Sequence, residues 1–246
     1  MHQFFVEPFQ IQGKQIYITG KDVKHIRNVL RMQPGEEISI SNGVDGREYR
    51  CGIECIEEDR IICGLRFIKE EGVELPAKVY LFQGLPKADK MELIIQKAVE
   101  LGVYEIIPVA TKRCVVKLEE KKAAQKTARW QGISEAAAKQ SRRSIIPRVG
   151  KPVSFNEAVS RCRDMEVKFI PYELAKGMKA TKELISSLKP GAEIAVFIGP
   201  EGGFSEQEIE LAKEGGILPI TLGKRILRTE TAGLTVLAWI MYQLED

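Results

Sequence analysis

Histidine and paired cysteine are what this sequence has least of. Only His2 and His25 are histidines, and none of the five cysteines falls in a CxxC pair. A structural zinc site needs four closely organised ligands, so no metal is expected. Cys51, Cys55 and Cys63 do cluster. In "YRCGIEC", however, Tyr49, Cys51, Ile53 and Cys55 alternate onto one face of a strand, and reduced core thiols are the simpler reading. Long apolar runs are also missing. The longest, Leu234 to Tyr242, is far short of the ~20 residues that a membrane-spanning helix needs. The opening "MHQFFVEPF" has no basic segment followed by a sustained apolar one, so no secretory leader is expected. These absences leave a cytoplasmic protein with no membrane partner as the expectation.

Charge is present but unevenly spread. The net value is only +3 over 246 residues. Residues 1–72 carry 10 basic against 12 acidic side chains, residues 86–150 carry 14 against 7, and residues 151–246 carry 12 against 14. The excess sits in the middle of the chain, the footprint of a polyanion partner. "EEKKAAQKTARW" is equally good composition for a solvated helix, and charge alone leaves the two readings even.

Two rhythms divide the chain. Up to residue 72, "QIYIT", "EEISISNG", "REYRCGIEC" and "RIICGLRFI" read as short strands between turns at Asn42-Gly43, Asp45-Gly46 and Glu57-Glu58-Asp59. Ile61, Cys63, Leu65 and Phe67 share one face, which suggests a small β-barrel. One helix interrupts the strands, "TGKDVKHIRNVLRMQPG", with Val23, Ile26, Val29 and Leu30 as its buried stripe. From residue 73 to 246 the apolar segments "KVYLFQG", "EIIPVAT", "VKFIPYE", "EIAVFIG" and "ILPITLG" alternate with helical ones. That is the pattern of a parallel α/β sheet covered on both faces. Asp89 with Glu92, and Ser205 with Glu208, read as capping boxes for two of the helices. Met91, Ile94, Ile95 and Ala98 are the buried face of the first.

Ligands of open parallel sheets bind beyond the carboxyl ends of the strands. There the chain places Glu173-Leu174, Gly199-Pro200-Glu201-Gly202-Gly203 and Leu222-Gly223-Lys224-Arg225. The glycine loop has neither the order of a P-loop nor that of a dinucleotide fingerprint, and Glu201 in its middle would repel phosphate. A cofactor with a positive centre and no phosphate fits better. S-adenosylmethionine is one, because glycines leave backbone groups open to its adenine and its sulfonium tolerates a carboxylate. An ordinary turn before a capped helix would suffice for an isolated loop. A second unusual loop, "LGKRILRTETAG", follows the next strand at the same rim.

"IGPEGGFS" followed by "LGKRILRTETA" resembles the paired C-terminal signature of the RsmE family, methyltransferases that use S-adenosylmethionine to methylate N3 of a uridine in 16S rRNA. "QFFVE", "HIRNVLRMQPGE", "LPKADKMELIIQKAVELGV", "KRCVVK" and "RWQGISEAAAKQSRR" resemble the family over nearly the whole chain. His2-Gln3, where the family has basic residues, and Cys114, where it has serine, depart from it. The resemblance implies a PUA-like RNA-binding β-barrel over residues 1–72 and a SPOUT α/β methyltransferase domain with a deep trefoil knot over 73–246. It also implies a homodimer acting on 16S rRNA within the small ribosomal subunit. Chains rarely thread their own loops, so the knot comes from the resemblance alone. It further implies cofactor binding by Leu174, Gly199, Gly203, Leu222, Gly223, Ile226, Leu227, Arg228, Thr231 and Ala232.

Methylation at N3 requires an accessible base, in-line approach and loss of the N3 proton. Arg228 is the first candidate catalytic residue, since a guanidinium can stabilise the anionic uracil; a salt bridge to Glu230 or Glu201 is the plain alternative. Glu201 is the second candidate, for orienting groups or accepting the proton; its plain alternative is to complement the next helix dipole. Arg27 and Arg31, four apart on one helix face, with Lys87, Lys90, Arg113, Arg129, Arg142 and Arg143, are the candidate RNA contacts. The final helix, 231–244, is apolar nearly all round and must be buried within its domain, against a twin subunit, or both. A non-catalytic RNA-binding factor and a knotted methyltransferase for tRNA or another base remain the alternatives.

Overall fold

The computed structural model describes residues 1–70, 72–115 and 119–245, in two compact units. The first unit joins Met1–Glu74 to Ala138–Ile146, and the second joins Leu75–Ala137 to Pro147–Asp246.

The first unit is a six-stranded sheet. Its strands are β1 (Gln3–Phe5), β2 (Ile11–Gln12), β3 (Gln15–Thr19), β4 (Glu37–Ser41), β5 (Glu48–Ile56) and β6 (Arg60–Lys69), in the order β1-β4-β5-β6-β3-β2. Only β1 and β4 run parallel. Phe4, Ile16, Ile18, Ile38, Ile40, Tyr49, Cys51, Ile53, Ile61 and Cys63 bury their side chains in one core. Three expectations about faces need correction. The register slips between Ile53 and Cys55, and an extra residue turns later side chains over, so Cys55 is exposed while Cys51 stays buried. Phe67 is 59% exposed and lies outside the core that Ile61 and Cys63 join. The helix starts as α1 (Lys21–Lys24) but continues over His25–Leu30 as a π-helix. Its wider turn breaks the 3.6-residue spacing, which leaves Val29 66% exposed while Val23 and Ile26 stay buried.

Residues 138–146 are fastened to this unit by Glu74. Its carboxylate accepts the Ser144 and Ile145 backbone N–H groups at 2.9 and 3.1 Å and pairs with the buried Arg143 guanidinium at 2.5 Å.

The second unit is a parallel sheet of seven strands. They are β7 (Lys78–Gly84), β8 (Glu105–Ala110), β9 (Arg148–Val149), β10 (Val153–Ser154), β11 (Val167–Pro171), β12 (Glu193–Ile198) and β13 (Leu218–Ile220). The order is β10-β8-β7-β12-β11-β13, with β9 also on β8. Ile194 to Ile198 are all buried, as a strand covered on both faces requires. Phe82 and Phe197 stack at 4.5 Å across β7 and β12, Phe155 meets Phe197 edge-on, and Phe204 tilts against Phe155.

The helices are α2 (Lys90–Glu100), α3 (Glu120–Gln140), α4 (Phe155–Arg161), α5 (Met178–Ser186), α6 (Glu206–Glu214) and α7 (Thr229–Leu244). Ser205 and Glu208 make the expected capping box. Asp89 and Glu92 do not: the Asp89 side chain caps nothing, and Glu92 instead pairs with Arg129 at 2.8 Å. Met91, Ile94, Ile95 and Ala98 of α2 are buried as expected. Helix α7 packs chiefly on α2, burying Gly233, Val236, Leu237, Ile240 and Leu244. Leu234, Ala238, Trp239 and Met241 are only half-buried and Tyr242 is 86% exposed. The single chain covers one flank of α7 and leaves the other open.

Candidate active site

Because the strands of the second unit run parallel, their carboxyl ends meet at one rim. Beyond β11 the chain continues as Tyr172-Glu173, beyond β12 as Gly199 to Phe204, and beyond β13 as Thr221 to Arg228. These three segments, with Lys90 and the start of α7, line a cavity of about 530 Å³, within the usual range for a small-molecule site.

Glycine makes the close approaches. A Cβ on Gly84, the last residue of β7, would lie 2.6 Å from Pro200 Cδ and 2.7 Å from its nitrogen. Only glycine lets the 199–203 loop cross the strand end so closely. Gly203 has φ +66°, and open space lies where its Cβ would project, so backbone rather than side chain faces the cavity there.

Thr229 ties the two loops together. Its hydroxyl donates to the Gly199 carbonyl at 2.6 Å and accepts from Gln83 Nε2 at 2.9 Å, while Gln83 Nε2 also reaches the Gly84 carbonyl at 3.0 Å. Gln83 is wholly buried, and its Nε2 is the donor that ties the strand end to Thr229.

The charges are set by Lys90. Its ammonium lies 3.0 Å from Glu201 and 3.4 Å from Glu230. The Glu201 carboxylate also accepts the Lys87 backbone N–H at 3.2 and 3.3 Å. Burial alone would raise the Glu201 pKa, but the Lys90 hydrogen bond, the backbone N–H groups of Glu201 and Lys87, and the Lys90 charge outweigh it. The carboxyl is held below its ordinary value. Lys90 rises in return, chiefly through its hydrogen bond to Glu201. Of the two carboxylates that Lys90 holds, Glu201 lines the cavity together with Glu173, while Lys224, Arg225 and Arg228 bring further positive charge to its lining.

Of the residues expected to bind cofactor, Gly199, Gly203, Leu222, Gly223, Ile226, Leu227, Arg228 and Ala232 line the cavity. Leu174 and Thr231 are exposed and lie outside its lining; their neighbours Tyr172, Glu173 and Thr229 line it instead. Arg228 precedes α7 as its N-cap residue. Its side chain is exposed and, among the described residues, makes no ion pair with Glu230 or Glu201. Lys90 holds both acids.

The expected RNA contacts disperse. Arg143 is 4% exposed and committed to Glu74, so it is a structural residue rather than an RNA contact. Arg31 does not continue the helix of Arg27. It adopts the left-handed conformation, φ 55°, and ends the π-helix, while Arg27 donates to the Glu58 carbonyl at 3.1 Å. Arg129 pairs with Glu92, and Arg142, with φ 60°, is exposed. Lys90 belongs to the cavity wall. Arg113 donates to the Gly202 carbonyl at 3.0 Å, and Lys87 is exposed beside Glu201, so both stand next to the glycine loop.

Thr229, Gln83, Tyr172 and Phe204 escaped the reading of the sequence. Thr229 shares the first turn of the last helix with the hydroxyl of Thr231, and spacing alone does not tell which of the two faces the glycine loop.

Residues 73–241 match the model of an RNA methyltransferase domain, and residues 18–65 match that of an RNA methyltransferase PUA domain. The chain is 41% identical, over its full length and 98% of the relative, to the ribosomal RNA small subunit methyltransferase E of Bacillus subtilis. The chain belongs to the RsmE family. The Aquifex aeolicus member is 30% identical over 98% of this chain and 99% of its own. The solved structure of the Neisseria gonorrhoeae member, bound to S-adenosyl methionine, superposes with a TM-score of 0.83 at 33% identity, covering 98% of this chain and 97% of that one.

Proposed function

We propose that the chain is an S-adenosylmethionine-dependent methyltransferase that modifies uridine N3 in 16S rRNA of the small ribosomal subunit. The observation that carries this is the single cavity shared by the Gly199–Phe204 and Thr221–Arg228 segments, in a chain whose full-length relatives are named for rRNA methylation.

The residues present fit the cofactor. Gly199, Gly203 and Gly223 offer bare backbone to an adenine, Ile198, Leu222, Leu227 and Ala232 offer apolar wall, and Glu173 and Glu201 offer carboxylates to a sulfonium. When bound, S-adenosylmethionine supplies an electrophilic methyl group on a positively charged sulfur. Holding nucleophile and methyl in line is a proximity effect that removes several kcal/mol of the barrier. Arg228, exposed at the cavity and unpaired among the described residues, provides positive charge for the uracil anion formed as N3 loses its proton. Glu201, held ionised by Lys90, is a poor proton acceptor and takes the orienting role instead. Lys87 and Arg113, beside the glycine loop, and Arg27, Arg31, Arg129 and Arg142 are assigned to RNA phosphates.

The finer architecture belongs to the same reading. Residues 1–72 are a PUA-like barrel, completed by residues 138–146, and the rest is a SPOUT domain whose C-terminal segment is knotted. The placing of α7 on α2, with its start bonded to Gln83 and Gly199, supports the knot. The open flank of α7 at Trp239 and Tyr242 supports a homodimer.

The test is to incubate the purified protein with labelled S-adenosylmethionine and undermethylated small subunits, then map the modified nucleoside. Label at uridine N3 is expected; label on ribose or on guanine would overturn the substrate.

A further inference from the structure

We propose that residues 224–228 are an RNA-gripping rim, in which the Ile226 side chain wedges into the base stack beside the target nucleotide while Lys224 and Arg225 hold its flanking phosphates. The inference rests on the functional reading above and assigns it a nucleotide-extruding element.

The segment hangs between two anchored ends. On one side the Thr221 carbonyl accepts the Thr181 hydroxyl at 2.9 Å, and the Thr221 hydroxyl accepts the Gly223 N–H at 3.3 Å. On the other, Thr229 is bonded to Gln83 and Gly199. Between them Lys224, Arg225, Ile226 and Arg228 are all exposed and all line the cavity. None of the three cations forms an ion pair among the described residues, whereas Lys90, at the same cavity, is matched by two carboxylates.

A solitary exposed aliphatic side chain is ordinary on a protein surface. Ile226 differs by its place. It is 86% exposed, at the mouth of the site, within a five-residue run that holds three uncompensated cations. Its side chain therefore adds little wall to a ligand inside the cavity, for which its backbone suffices. Uracil N3 lies on the pairing edge, so the base must leave its stack before it can react. Proteins that unstack bases insert aliphatic wedges between them, and unpaired cations beside the wedge anchor the backbone. A second copy of the chain could also cover an aliphatic side chain, but three unneutralised cations favour a polyanion.

The full-length protein tests this through Ile226→Ala, Ile226→Met and the double change Lys224→Ala/Arg225→Ala. Cofactor binding is read by calorimetry, methyl transfer by kcat/KM for undermethylated small subunits, and assembly by sedimentation. Ile226→Ala is expected to leave the cofactor Kd within about threefold while lowering kcat/KM about tenfold, as the wedge that holds the stack open is lost; Ile226→Met restores it. The double change is expected to lower the slope of log K against log salt for rRNA binding by about 1.4, two single-strand phosphates' worth. The inference is overturned by an unchanged kcat/KM, by a cofactor Kd that rises by the same factor as kcat/KM falls, or by an Ile226→Ala protein that changes its oligomeric state. Wild-type protein that binds the cofactor but transfers no methyl group to small subunits overturns the functional reading itself, and this inference with it.

Discussion

The hydroxyl of Thr229 donates to the carbonyl of Gly199 across 2.6 Å, joining the first turn of the last helix to the first residue of the glycine loop. Thirty residues of sequence separate the two, and a third group, the wholly buried Gln83 amide, donates to the same hydroxyl. Neither loop alone makes the site; this contact makes them one wall.

Thr229→Val keeps the shape and removes both hydrogen bonds. Leaving one Gln83 N–H and the Gly199 carbonyl without their partner costs about 1–3 kcal/mol, read as a lower denaturant midpoint with unchanged m-value. S-adenosylmethionine affinity is expected to drop about tenfold, about 1.4 kcal/mol, as the loops part. Thr229→Ser, which keeps the hydroxyl, should stay near wild type in both measurements.

Lys90→Met removes the cation between Glu201 and Glu230. Glu201 sits below its ordinary 4.5 in the folded protein. Its ionised form therefore adds stability above that pH and loses it as the pH falls through the lowered value. Without Lys90 the carboxyl titrates at higher pH, so the acid-side loss of stability should begin earlier. A carbon-detected NMR titration of Glu201 reads the shift directly. The pair is more than a quarter exposed, so after solvent screening the effect on cofactor affinity is about fivefold or less.

Arg228→Ala should lower kcat for methyl transfer about 10²-fold, the usual loss for one charge-stabilising donor, with little change in cofactor Kd. A matching loss of cofactor affinity would move Arg228 from the reacting base to the cofactor wall.

The strands of the second unit were readable because parallel strands covered on both faces are continuous apolar runs; "KVYLFQG" coincides with Lys78–Gly84, and "EIAVFIG" covers Glu193–Ile198. Ser205 and Glu208 were readable because a capping box is local. What pairwise spacing could not reveal were departures from ideal periods: the bulge that exposes Cys55 and the π-helix that exposes Val29. Asp89 and Glu92 had the right spacing for a box, but Arg129, 37 residues on from Glu92, takes its carboxylate. Most cavity residues followed from the two loops and the family resemblance. Gln83 and Lys90 did not, because their partners lie more than a hundred residues away. A charge count cannot tell a solvated arginine from one buried against Glu74, as Arg143 is.

The cysteines divide by environment. Burial pushes the Cys51 and Cys63 thiols up to about 12 and Cys162 to about 11, and a thiol that does not ionise does not react. At pH 8, iodoacetamide should modify exposed Cys55 and spare these three until the protein unfolds. Mass spectrometry of tryptic peptides before and after denaturation reads the difference.

The central claim, that the Gly199–Phe204 and Thr221–Arg228 segments grip one adenosyl sulfonium together, is tested most directly by hydrogen–deuterium exchange with and without saturating S-adenosylmethionine. The account predicts slowed exchange in both segments, and around Tyr172, over the same range of cofactor concentration. Protection of one segment without the other, or of neither, would contradict it.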